Sequence, residues 1–194
     1  MKKAVNPYRE WGMKKGGSGR PLFKGYTMKG FRFYHISEHY IRYLHSIDNR
    51  VQWNKGERRP YVGIVLSIKG MNYYVPLESP KPGHAKLKSG GAVLRLDGGN
   101  LGLMGFNNMI PVLPECLKDF DIAGITDQKY KMLLYNQLDF CNENRDLIIR
   151  RAETTYRKET SGNVPYYKKV CCNFRKLERK IGNYDPDYKA HKKR

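Results

Sequence analysis

Two apolar runs separated by three residues constrain this chain more than any other feature. Tyr61 to Ile68 (YVGIVLSI) and Asn72 to Leu77 (NYYVPL) are rich in β-branched and aromatic side chains, and Lys69-Gly70-Met71 joins them. Runs of that kind around so short a glycine-containing link predict an antiparallel β-hairpin. Upstream, Phe31 to Ile36 (FRFYHI) reads as a strand, and Ser37 as the N-cap of a helix whose Tyr40, Ile41, Leu44 and Ile47 share one face. A polar loop through Trp53 and Gly56 separates that helix from the hairpin. Beyond it come a basic loop, Ser79 to Ser89 (SPKPGHAKLKS), a short strand near Val93 to Leu96, and a turn at Gly98-Gly99-Asn100. A strand at Met109 to Leu113 follows, which Pro111 and Pro114 restrict to an edge or bulged position.

From Thr126 the apolar period becomes helical. Tyr130, Leu133, Leu134, Leu138 and Cys141 lie on one side of a long helix with room to continue through Leu147 and Ile148. A second helix is expected from Asn173 as N-cap, with Phe174, Leu177 and Ile181 on its buried face. Strands early and helices late predict an α+β fold, a small curled antiparallel sheet packed by helices, with no internal repeat.

Charge decides which partners suit such a fold. The 194 residues carry 37 Lys and Arg against 18 Asp and Glu, a formal charge of +19. The excess lies at the two ends, residues 1–30 and 150–194, around a nearly balanced middle. Six glycines among the basic residues of segment 1–30 mark it as an N-terminal extension; residues 31–181 form the folded domain and 182–194 a basic tail. Tyr156, Tyr166, Tyr167, Phe174, Tyr184 and Tyr188 are interleaved with the C-terminal charge, which points to nucleic acid, since cations neutralise phosphates and aromatic rings stack on unpaired bases. No run approaches the roughly 18 to 20 apolar residues of a membrane span, and no signal-peptide block follows the first charges, so a cytoplasmic protein is expected. Cys116, Cys141, Cys171 and Cys172 form no C-x-x-C pair and share no ligand spacing with the histidines, so free thiols and no structural metal are expected.

No glycine-rich phosphate loop, H-E-x-x-H, G-x-S-x-G or metal-binding carboxylate pair is present, which argues against familiar cofactor chemistry. The stretch just past the hairpin stands out instead. Glu78-Ser79-Pro80-Lys81 followed by His84, Lys86 and Lys88 gathers a hydroxyl, ammonium groups and an imidazole within about ten residues. RNA cleavage by its own 2′-hydroxyl needs a base for that proton, a cation for the phosphorane charge and an acid for the leaving 5′-oxygen. Lys81 suits the cation, His84 the proton transfer, and Ser79 can donate to a nonbridging oxygen. The same residues are also good turn formers, as Ser-Pro-Lys-Pro-Gly ordinarily is.

Five segments in order resemble the ToxN/AbiQ family, the endoribonuclease toxins of type III toxin-antitoxin and phage abortive-infection systems. They are Phe33 to Ile41, Tyr61 to Leu66, Pro76 to Lys81 with His84, Leu101-Gly102-Leu103 with Met109 to Val112, and Tyr135 to Leu138; Cys172-Asn173-Phe174 resembles the family's final helix. The resemblance covers about residues 31 to 181. It implies a compact, highly curved antiparallel sheet of the MazF and CcdB barrel type surrounded by helices. It also implies metal-independent, cofactor-free cleavage leaving a 2′,3′-cyclic phosphate and a 5′-hydroxyl. The implied inhibitor is a small pseudoknotted RNA encoded as tandem repeats, which assembles with the toxin as a closed ring, often three proteins with three RNAs. Carried over residue by residue, the family's helix-start tyrosine falls on Tyr40, its basic residue before the second strand on Arg59 or Arg58, and its T-S-P-K stretch on Glu78 to Lys81. Glu78 departs from that pattern by placing a carboxylate where the family has a hydroxyl, either as a base or only as a partner for Arg59. The expected catalytic set is therefore Ser79, Lys81, His84, Arg59, Tyr40 and Glu78. Lys86, Lys88, Arg58, Tyr135, Tyr61, Lys168, Lys169 and Arg175 are expected to contact RNA. Two rival readings share these residues: a noncatalytic RNA-binding protein, and a MazF-like ribonuclease controlled by a protein antitoxin.

Overall fold

The computed structural model describes residues 30–86 and 91–187. All but the last residue of the expected extension 1–30, Lys88, and residues 188–194 of the basic tail lie outside the described residues.

The hairpin forms and is tighter than expected. Strands β2 (Tyr61–Ile68) and β3 (Met71–Glu78) are joined by Lys69-Gly70 alone, because Met71 already pairs with Ile68. Lys69 and Gly70 both have positive φ, the requirement of a two-residue turn that matches strand twist. A register shift between Val62 and Leu66 puts a bulge in β2. Gly63 lies in it because the Tyr74 ring presses where a side chain would be, 2.1 Å from an ideal Cβ.

Strands β1 (Arg32–Ile36), β4 (Val93–Arg95), β5 (Leu103–Gly105), β6 (Ile110–Val112) and β7 (Leu117–Asp119) complete a seven-stranded antiparallel sheet. Its order is β4-β5-β3-β2-β1-β7, with β6 also on β3. One edge of β3 therefore serves two partners: Asn72 to Tyr74 pair with β6, and Leu77-Glu78 with β5. The exchange falls at Val75-Pro76, where proline lacks the N–H a continuing ladder would use. β4 and β7 end the path without joining, so among the described residues the curved sheet that the resemblance implies to be of MazF and CcdB barrel type is open.

Among the described residues five α-helices pack around the sheet: α1 (Glu38–Ile47), α2 (Gln128–Glu143), α3 (Arg145–Ser161), α4 (Pro165–Val170) and α5 (Phe174–Ile181). The architecture is α+β, as the order of elements implied. α1 buries Tyr40, Ile41 and Leu44, but the Ser37 side chain makes no cap hydrogen bond. α5 buries Phe174, Leu177 and Ile181 against β6 and α1, and the Asn173 side chain accepts from Lys176 N at 2.9 Å, a working N-cap.

The expected long helix forms as α2, but its continuation through Leu147 and Ile148 is broken. Asn144 (φ −103°, ψ 24°) closes α2 through its side-chain donation to Phe140 O at 2.9 Å, while its own carbonyl accepts from Ile148 N at 3.0 Å and starts α3. Leu147 and Ile148 thus belong to a second helix whose buried stripe, Ile148, Ala152, Thr155 and Glu159, is half polar. No helix among the described residues is long and apolar enough to cross a membrane.

Candidate active site

The central hairpin delivers the site. β3 ends at Glu78, held on one side by Leu77 N donating to Pro60 O (3.0 Å) and on the other by pairing with Leu103. Gly102 (φ +97°) packs its bare Cα against the same turn, where an added Cβ would fall 1.9 Å from the Glu78 carbonyl oxygen. The chain then runs through Ser79 and Pro80, and His84 N donates to Lys81 O (3.1 Å), folding the loop back so that its imidazole returns to Glu78.

Three cations or potential cations surround the Glu78 carboxylate. Lys81 Nζ lies 3.1 Å from Oε2, Arg59 Nη1 3.8 Å from Oε1 and His84 Nε2 3.9 Å from Oε2. The Arg59 and His84 side chains are only 10% and 8% exposed, whereas Lys81 is 56% exposed. Burial by itself raises the Glu78 carboxyl, but the Lys81 hydrogen bond and the charges of Lys81, Arg59 and His84 outweigh it and hold the group below its ordinary range. Glu78 is therefore ionised at neutral pH. Arg59 Nε and His84 Nδ1 are buried without a hydrogen-bond partner, an arrangement that costs energy unless something polar arrives.

Arg59 is also fixed from behind, with Nη1 donating to Gln52 Oε1 at 2.6 Å and its backbone N to Asn54 O at 3.0 Å. Neither Gln52 nor Asn54 was marked by the sequence, since single polar residues in a loop carry no spacing signal. Gly102 had one, as the middle of Leu101-Gly102-Leu103.

The expected site residues divide accordingly. Arg59, Glu78, Lys81 and His84 converge, Ser79 is exposed in the connecting turn, and Lys86 and Arg58 are exposed on the two adjoining loops. Tyr40 is placed apart, fully buried with its hydroxyl donating to Pro111 O at 2.9 Å and its ring edge-on to Tyr184, and burial pushes its phenol well up. Tyr61, only 1% exposed, is likewise a core residue whose phenol burial pushes up. Neither phenol presents a surface to RNA in this conformation. Lys168 is committed to the buried Glu159 carboxylate at 2.9 Å. Lys169 and Arg175 are exposed, and Tyr135 borders a shallow hollow of about 220 Å³ with Phe33, Phe120 and Leu138.

Fold and site define a class: an α+β protein carrying, at the mouth of its central strand, a cation-rich cluster with groups able to move a proton. The family model for toxin ToxN of type III toxin-antitoxin systems matches residues 32–182, and the chain belongs to that family. Endoribonuclease ToxN of Bacillus thuringiensis subsp. kurstaki is 36% identical over 162 residues, covering 79% of this chain and 84% of the relative. Endoribonuclease AbiQ of Lactococcus lactis subsp. lactis is 32% identical over 174 residues, 84% of this chain and 94% of the relative. Among solved structures, a type III toxin from work on selective toxin inhibition by a non-coding RNA pseudoknot superposes with a TM-score of 0.71 at 35% identity, covering 80% of this chain and 98% of the other.

Proposed function

We propose that residues 31–181 form a metal-independent endoribonuclease toxin. It cleaves RNA by attack of a 2′-hydroxyl on the adjacent phosphate, leaving a 2′,3′-cyclic phosphate and a 5′-hydroxyl. The observation that carries this reading is the convergence of Arg59, Lys81 and His84 within 4 Å of one carboxylate, next to an exposed serine hydroxyl. RNA supplies the nucleophile and the protein side chains supply the positive charge. The Ser79 hydroxyl and the Arg59 guanidinium hold the nonbridging oxygens, and Lys81 offsets the charge that grows on the phosphorane. Glu78, held ionised, accepts the 2′-OH proton as the 2′-O–P bond forms. His84 donates the proton that the 5′-oxygen takes as the P–O5′ bond breaks.

The inhibitor is a small pseudoknotted RNA that the same activity cuts from a repeat precursor, with toxin and RNA closing into a ring such as 3:3 in the cytoplasm. The +19 charge supports a folded polyanion as the partner. The test is to co-express the chain with its upstream DNA, recover bound nucleic acid, and analyse cleavage ends in EDTA. A uniform repeat-length RNA with 5′-hydroxyl ends, and loss of cleavage with retained RNA binding in Ser79→Ala, are expected. Binding without new ends would establish a noncatalytic RNA-binding protein. Cleavage neutralised by a small protein rather than RNA would establish a MazF-like system.

A further inference from the structure

The loop between α1 and β2 carries a side chain that the cleavage chemistry leaves unused. Trp53 is 48% exposed, an unusual state for an indole. Its ring lies on that of His45, with centroids 4.1 Å apart, and His45 Nδ1 is in turn fixed on Val51 O at 2.7 Å. One face of the indole is thus backed by an anchored ring.

Its neighbours in sequence hold Arg59. Gln52 takes Arg59 Nη1 at 2.6 Å, and the carbonyl of the fully buried Asn54 accepts from Arg59 N at 3.0 Å while its side chain donates to Ile36 O at 2.6 Å. Immediately after, Lys55, Gly56 and Glu57 all have φ between +57° and +66°, a left-handed run strained at its two non-glycine positions. Glu38 and Lys118 clamp it: Gly56 N donates to Glu38 Oε2 (3.0 Å), Glu38 N to Glu57 Oε1 (3.0 Å) and Lys118 Nζ to Glu57 Oε2 (3.2 Å). Strain that the surroundings enforce in this way is characteristic of preorganised sites.

Charge selects the occupant. The carboxylates of this loop region are each engaged by a cation, Glu38 by Arg42, Asp48 by Arg50 and Glu57 by Lys118. Lys55 and Arg58 stand exposed. An exposed indole in a net-positive rim suits an aromatic ring attached to a phosphate chain better than an apolar protein surface.

We infer that Trp53 is a stacking platform for an unpaired RNA base that neighbours the phosphate seated at Arg59. The assignment of that phosphate rests on the endoribonuclease reading, whereas the stacking does not. Trp11 and Trp53 are the two tryptophans of the chain, so Trp11→Phe in the full-length protein isolates the signal. With Ser79→Ala added, emission is titrated with a single-stranded RNA dodecamer of mixed sequence and, separately, with heparin, a polyanion without bases. RNA is expected to quench Trp53 and heparin to leave it bright. In the otherwise native chain, Trp53→Ala lowers kcat/KM on the same RNA by about 5- to 100-fold, the range for loss of one stacked base, and Trp53→Phe restores most of it. Equal responses to RNA and heparin, or an unchanged kcat/KM in Trp53→Ala, overturn the inference. A native chain that cleaves while Trp53 stays silent refutes the stacking alone. RNA-specific quenching in a protein whose native form cleaves nothing refutes the endoribonuclease reading and leaves the platform standing.

Discussion

Replacing Gly102 with alanine tests whether the site depends on the close approach of two backbones. At φ +97° any L side chain is strained, which costs about 1–3 kcal/mol. The new Cβ would also lie 1.9 Å from the Glu78 carbonyl oxygen, whereas real Cβ contacts essentially never fall under 3.0 Å, so the two chains must part by about 1 Å. The Gly102 side is tied down: its N donates to Gly99 O (3.1 Å), its O accepts from Leu96 N (3.0 Å), and Gln137 holds Leu101 O at 2.7 Å. Movement therefore falls on Glu78 and Ser79, at the exposed end of β3. A shift of that size costs about 100-fold in rate where reacting groups must be aligned. Strain and overpacking together amount to about 2–6 kcal/mol of stability. Gly98→Ala is the control, since Gly98 also has positive φ (+62°) but an added Cβ meets nothing within 4 Å. It should lose about 1–2 kcal/mol and none of its cleavage. Thermal midpoints and initial rates of RNA cleavage in EDTA, measured for both variants, separate the two effects. If Gly102→Ala cleaves as fast as Gly98→Ala, the tight support of Glu78 and Ser79 is not what makes the site.

Three further outcomes follow from the electrostatics and the core. Asp48 accepts from Arg50 Nε (2.9 Å) and Nη2 (2.8 Å) and from Asn173 N (2.6 Å), joining the end of α1 to the start of α5. Asp48→Asn should cost about 2 kcal/mol at pH 7, below the value for a fully buried pair because Arg50 is partly exposed. Burial raises the Asp48 carboxyl, yet Arg50 and the Asn173 N–H outweigh it and hold the group below its ordinary value. Its stabilisation is thus fully present above the ordinary carboxylate value and lost as pH falls through the lowered folded value, so the urea midpoints of the two proteins should converge only once the pH lies below that folded value. Glu178 Oε1 accepts from both Tyr73 and Tyr156 hydroxyls at 2.7 Å; Tyr73→Phe should lower unfolding free energy by about 1 kcal/mol, and no change would remove that bond from the account. Burial pushes the thiols of Cys116 up to about 11 and of Cys141 and Cys171 up to about 12, so iodoacetamide at pH 8 should label these sites only on unfolding, as read by peptide mass spectrometry.

What could be read in advance follows the strength of local signals. The hairpin and α5 were legible because a β-branched pair of runs and a capped 3-4 apolar spacing each force one geometry. β5 and β7, three residues each, and the six-residue α4 are too short to show a period. α3 hid because Thr155 and Glu159 occupy its buried stripe; Glu159 is 1% exposed and lies there only because Lys168 reaches it from α4. The site divides in the same way. Glu78, Ser79, Lys81 and His84 are contiguous and stood out as a cluster. Arg59 needed the resemblance, and Gln52 and Asn54 needed the fold. Tyr40 illustrates the opposite case: its place on the apolar helix face with Ile41 and Leu44 already pointed to the core, where its hydroxyl meets the carbonyl of a proline edge strand, and only the resemblance moved it into the site.

The Glu78 carboxylate sets the charge balance of the whole cluster. With this carboxylate ionised, Arg59 and Lys81 exceed it by one positive charge, enough to balance a single phosphodiester, and His84, the proton donor of the proposed cleavage, adds a second until it gives up its proton. In the proposed cleavage the phosphorane formed on 2′-OH attack carries about one further negative charge, and the proton taken from that hydroxyl is the only new positive charge generated at the same moment. If Glu78 receives that proton, the cluster gains a unit of positive charge when the phosphate gains its negative one, with no ion entering or leaving. A hydroxyl in its place could donate a hydrogen bond but could not change charge in step. The short path from Glu78 to Lys81 and His84, set by one turn after β3, makes this compensation local. In the proposed cleavage Glu78 is therefore the position at which the phosphate's growing charge and the protein's proton can be coupled most directly.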